Sequence, residues 1–107
     1  MNLGFIGTGK ITSSVITGIC NSSIKYKKIV VSSRNKIISQ RLKKKFKSIN
    51  IEKNNQKIID SCNWVFLAVT PAVGEKILKS LKFRSGQTVV SFISTITISE
   101  LKKMIKV

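Results

Sequence analysis

The chain alternates short, wholly apolar runs with longer stretches of helical period, and this constrains its fold more than any other feature. Residues 3–6 form a compact apolar run that stops at Gly7, the pattern of a buried strand. From Lys10 onward Ile11, Val15, Ile16 and Ile19 recur at steps of three and four, one face of a helix reaching about Ser22. Residues 29–31 are a second β-branched run, and Ile37, Ile38, Leu42 and Phe46 mark a second helix. Ile49 and Ile51 suit a short third strand, and residues 55–61 a helical turn. Residues 64–69 (WVFLAV) are the strongest strand, apolar on both faces; a helix is predicted over 73–81, after Pro71. Residues 88–93 (TVVSFI) read as a fifth strand, and 99–105 as a last helix with Ser99 as its N-cap.

Strands buried on both faces and separated by helices specify a parallel sheet covered on each side. Right-handed crossovers then leave the doubly wound α/β topology, a Rossmann fold of three layers. With 107 residues the chain fits a single domain spanning 1–107.

The charge balance is extreme, with 20 Lys+Arg against 4 Asp+Glu and a formal net charge of +16. Such a balance suits a polyanion partner. Yet the cations are mostly Lys and arrive with heavy use of Ile and Asn, a trio that rises together in A/T-rich coding sequence. Lys43, Lys44, Lys45 and Lys47 crowd the end of the second helix, where cations suit the negative end of the dipole. Nucleic-acid readers also stack bases on exposed aromatics. Here Phe5, Trp64 and Phe66 fall in strands where burial is expected, so nucleic acid is not the expected partner.

Two cysteines, Cys20 and Cys62, lie far apart in apolar stretches, and there is no His. Neither a zinc site nor a Cys/His pair can be assembled from this set, and both thiols are expected to be buried in a reducing compartment. No catalytic dyad or triad and no metal site is predicted. Residues 1–9 lack the charged start of a targeting signal, and no apolar stretch approaches the roughly 20 residues of a membrane span. A cytoplasmic location, with no membrane partner, is therefore expected.

The chemistry-bearing segment is Gly7-Thr8-Gly9-Lys10-Ile11-Thr12, set between a strand and a helix. A bare G-x-G can be only a turn. In this context it matches the first two glycines of the dinucleotide fingerprint G-x-G-x-x-G. Gly7 would permit the tight turn, and Gly9 the approach of a pyrophosphate to the first N–H groups of the helix, with Thr8, Lys10 and Ile11 beside it. Thr12 stands where Gly or Ala governs helix–strand packing, so it should push the helix outward or meet small neighbours.

NAD-specific folds place an acid after strand two to bond the ribose 2′-OH. This chain reads Ser32-Ser33-Arg34-Asn35 there, with Lys36 following. Two hydroxyls and a guanidinium would bind a 2′-phosphate that an acid would repel, so NADP(H) is the expected cofactor. At the end of strand four, Ala68-Val69-Thr70-Pro71 is placed to line the same cofactor, since ligands sit outside the carboxyl ends of such strands.

Together these segments resemble the N-terminal NADP-binding domain of the pyrroline-5-carboxylate reductase family over essentially the whole chain. Residues 4–9 (GFIGTG) with Gly18 are similar to its G-F-I-G-x-G-x-M-x-x-A-x-x-x-G, and residues 31–34 (VSSR) to its V-S-x-R. Residues 68–71 (AVTP) resemble its A-V-K-P, and residues 91–101 its S-x-x-A-G-I-T-x-x-x-L. The resemblance implies that Asn55 contacts the cofactor ribose and that the activity is NADPH-dependent reduction of 1-pyrroline-5-carboxylate in proline biosynthesis. Departures are Thr12 for Ala, Thr70 for Lys, and Ser94-Thr95 for Ala-Gly.

Family members continue into a helical domain that makes the dimer and holds the imino-acid substrate. The chain is expected to be the cofactor half, inactive alone, acting with a complementing domain, a split partner subunit or as a homo-oligomer. Two alternatives stay open: another reductase with this architecture (a 6-phosphogluconate or β-hydroxyacid dehydrogenase-like enzyme, or a deazaflavin-dependent NADP reductase), and a non-catalytic nucleotide-binding module.

Overall fold

A computed structural model describes residues 1–7, 9–33, 35–93 and 96–105. Among the described residues five strands and five helices alternate: β1 (Asn2–Ile6), α1 (Lys10–Cys20), β2 (Lys28–Ser32), α2 (Lys36–Lys45), β3 (Ile49–Glu52), α3 (Asn55–Ser61), β4 (Trp64–Leu67), α4 (Pro71–Leu78), β5 (Thr88–Ser91) and α5 (Ile98–Met104). The strands form one parallel sheet in the order β3-β2-β1-β4-β5. Phe5 at the centre registers with Val31 on one side and Phe66 on the other. The doubly wound fold expected from the apolar pattern is the fold observed.

Period-two alternation divides the core. Leu3, Phe5, Ile29, Val31, Ile49 and Phe66 pack on one face against Ile16 of α1 and Leu42 of α2. Ile6, Val30, Val65 and Leu67 pack on the other against Ile58 and Ile59 of α3 and Leu78 of α4. Each such side chain contributes about 1.5–3 kcal/mol when fully buried. The rings of Phe5 and Phe66 stack in register at 4.5 Å. Gly4 lets α3 approach β1, because a Cβ there would lie 2.7 Å from Ile58 Cγ2 and 2.9 Å from Cys62 Sγ.

Four expectations are corrected. β4 ends at Leu67 rather than at residue 69; Ala68 still donates to Ile6 O at 2.9 Å, and the chain then turns into α4 with Pro71 in its first turn. α5 is capped by Thr97 rather than Ser99: the Thr97 hydroxyl accepts from Glu100 N and donates to Glu100 Oε1, both at 3.1 Å. Trp64 is 38% exposed rather than buried. Right-handed crossovers carry α1 and α2 over β1, β2 and β3, which leaves the same face of β4 and β5 thinly covered. Cys20 is half-buried, with its Sγ 3.4 Å from Tyr26 Oη, whereas Cys62 is buried as expected.

Candidate dinucleotide-binding site

The site begins where β1 ends. Gly7 has φ +100°, which L side chains rarely adopt, and a Cβ there would stand 2.3 Å from the carbonyl oxygen of Ala68. Only glycine lets this turn fit against the end of β4. Gly9 is different. It is the N-cap of α1, with φ −118°, and a Cβ on it would meet nothing within 4 Å. It therefore leaves open space in front of the helix.

Among the described residues α1 has no side-chain cap, and its first turn holds no acid. The other four helices are capped by Asn35, Asn54, Thr70 and Thr97. The first N–H groups of α1 therefore keep their hydrogen-bonding capacity, at the positive end of the dipole, for an anion.

A cleft of about 650 Å³ opens in front of them. Its walls are Gly7 and Gly9 from the β1–α1 turn, residues 35–37 at the start of α2, and Ala68, Val69, Thr70 and Val73 at the β4–α4 junction. The cleft thus straddles β1 and β4, where the strand order reverses direction, the position at which doubly wound sheets bind ligands. Its lining is apolar at Val69 and Val73, and Lys36 supplies a cation.

Of the residues singled out in the sequence, Gly7, Gly9, Ala68, Val69 and Thr70 line this cleft. Thr8 and Arg34 lie outside the described residues. Lys10 and Ile11 open α1 and are exposed beside the cleft, outside its wall. Pro71 opens α4, and the Thr70 hydroxyl caps that helix by accepting from Val73 N at 3.4 Å. Ser33 follows β2, half-buried. Ser32 is only 3% exposed, and its Oγ accepts from Gly7 N at 3.0 Å. Asn55 opens α3, half-buried and outside the wall of the cleft. Thr12 is fully buried, and its Oγ1 donates to Gly7 O at 2.7 Å.

Three wall residues were not assigned to the site in the sequence. Asn35 caps α2 by accepting from Ile38 N at 3.1 Å, and an Asn three residues before an apolar position was a readable cap signal. Ile37, assigned to the core face of its helix, is 72% exposed along the cleft. Val73 is the third residue of α4 and carries no local signal.

Elsewhere, a second hollow of about 670 Å³ on α2 is lined by Gln40, Arg41, Lys43 and Lys44. Lys43 is partly structural, donating to Ile49 O at 2.9 Å. Among the described residues no group of His, Cys, Asp and Glu could hold a metal ion, and no helix is long and apolar enough to cross a membrane.

A parallel sheet of this order, with an uncapped helix N-terminus and a cleft at its strand reversal, defines a dinucleotide-binding α/β domain. The chain belongs to the family described as NADP oxidoreductase, coenzyme F420-dependent, whose profile matches residues 2–95. It is thus an NADP-binding oxidoreductase domain. It is similar to pyrroline-5-carboxylate reductase from Streptococcus pyogenes, with 25% identity and a TM-score of 0.79 over 98% of this chain and 38% of that one. The NADP-bound pyrroline carboxylate reductase of Plasmodium falciparum has 24% identity and a TM-score of 0.78, over 97% and 37% of the two chains. Prephenate dehydrogenase from A. aeolicus, in complex with hydroxyphenyl propionate and NAD+, shares the fold at 20% identity and a TM-score of 0.80, over 97% and 38%. The chain therefore spans 37–38% of the length of these relatives. No curated protein matches it. The resemblance to the NADP-binding domain of the reductase family is borne out.

Proposed function

We propose that this chain, over residues 1–107, seats NADPH for the reduction of 1-pyrroline-5-carboxylate to L-proline. NADPH supplies a hydride to the carbon of the C=N bond, and the nitrogen takes up a proton. The observation that carries the reading is the uncapped N-terminus of α1, facing a cleft that Gly9 keeps open. The pyrophosphate would lie against the N–H groups of residues 9–12, with the nicotinamide toward residues 68–70. Ser33, Arg34 and Lys36 would hold the 2′-phosphate, and Asn55 a ribose. The similarity to two pyrroline-5-carboxylate reductases, one with NADP bound, supports the substrate and the cofactor. Turnover would need the imino acid to be held by a second domain or subunit.

A second reading, an NADP domain of a different dehydrogenase, is supported by the prephenate dehydrogenase that shares the fold at a TM-score of 0.80. Calorimetric titration with NADPH and NADH at moderate salt tests the shared part. Micromolar NADPH binding with much weaker NADH binding is the expected result; absence of both would overturn it. Adding the helical domain of a pyrroline-5-carboxylate reductase, with substrate, separates the two readings.

A further inference from the structure

Both backbone groups of Gly7 are held by buried hydroxyls. Its N–H donates to Ser32 Oγ at 3.0 Å, and its carbonyl accepts from Thr12 Oγ1 at 2.7 Å. The two hydroxyls come from different elements, the last residue of β2 and the third of α1. Ser32 is 3% and Thr12 0% exposed, so neither is open to a ligand in the cleft. Behind the turn, the Ala68 carbonyl occupies the space a side chain would need.

We infer that Ser32 and Thr12 are positioning residues for the pyrophosphate, acting through Gly7; the inference rests on the NADPH reading above. The direction in which the chain leaves Gly7 sets where Gly9 and the first N–H groups of α1 stand. A misplacement of about 1 Å there would weaken several charge-assisted hydrogen bonds at once. At the third position of the fingerprint, Gly or Ala brings helix and strand together by being small. Thr12 instead ties the helix to the turn by a hydrogen bond that neither Gly nor Ala could make. Ser32, at the end of β2 where an acid reads the ribose in NAD-specific folds, is turned inward to hold the phosphate turn.

The test compares two ligands. NADPH spans the turn, whereas 2′-AMP carries the adenosine 2′-phosphate but no pyrophosphate. Thr12→Val keeps the shape and removes the hydroxyl; Thr12→Ser keeps the hydroxyl. With folding checked by thermal melting, Thr12→Val should weaken NADPH by about three- to tenfold and leave 2′-AMP within about twofold, the scale of one lost hydrogen bond. Thr12→Ser should restore NADPH affinity, and Ser32→Ala should repeat the Thr12→Val pattern from the N–H side of Gly7. Wild-type NADPH affinity in both Thr12→Val and Ser32→Ala, or equal losses for both ligands, would overturn the inference. Should Thr12→Val melt below the assay temperature, Ser32→Ala decides alone. A wild-type chain that binds neither ligand brings down the NADPH reading, and this inference with it.

Discussion

Gly7 and Ala68 meet so closely at the carboxyl ends of β1 and β4 that a single Cβ on Gly7 would lie 2.3 Å from the Ala68 carbonyl oxygen. The contact is backbone against side chain, so no rotamer change relieves it. Gly7→Ala should therefore destabilise the fold itself. Strain at positive φ contributes about 1–2 kcal/mol and overpacking about 1–3 kcal/mol. Urea denaturation should show a midpoint well below wild type; an unchanged midpoint would contradict the close approach.

Gly9 predicts the opposite division of effects. A Cβ there meets nothing within 4 Å, and the backbone lies at negative φ. Gly9→Val should melt within a few degrees of wild type, because the branched side chain enters open space, and should abolish NADPH binding, because that space is where the pyrophosphate belongs. Retained affinity would remove the fingerprint assignment while leaving the fold untouched.

The contrast between these two glycines shows what the sequence made legible. Both were readable as a G-x-G turn between strand and helix, and so were the five strands, since runs such as 64–67 are apolar on both faces of a parallel sheet. Their different duties were not readable, because one depends on Ala68, sixty-one residues away. The same holds for Trp64, whose exposure follows from which face of the sheet the crossovers leave bare. Ile37 was assigned inward by its period, yet only the tertiary position of α2 shows it lining the cleft. The cap of α5 was legible and missed: residues 97–100 read T-I-S-E, the capping-box spacing.

Cofactor discrimination should rest on Arg34. The end of β2 carries hydroxyls and a guanidinium where an NAD-specific fold carries an acid. Arg34→Ala should weaken NADPH by about 1–3 kcal/mol, the cost of a lost charged hydrogen bond, and leave NADH nearly unchanged. Equal losses for the two cofactors, measured by calorimetry, would assign the 2′-phosphate to another residue.

The last prediction concerns alkali. Burial pushes the Cys62 thiol above its ordinary value, outweighing the hydrogen bond with Ser61 and the positive charges of Lys28 and Arg84. The folded state therefore binds this proton more tightly than the unfolded chain does. Stability from this group is fully present below the ordinary thiol range of about 8.5, and is lost as pH rises from there through the higher folded value. Denaturant midpoints should be flat around neutrality and fall above about pH 8.5, and Cys62→Ala should reduce that fall even if it lowers the midpoint throughout. Tyr26, raised chiefly by its contact with Cys20, adds a loss of the same sign at higher pH, which Cys62→Ala leaves in place. A midpoint in Cys62→Ala that falls across pH 8–10 as steeply as wild type would assign the alkaline sensitivity to groups other than this buried thiol.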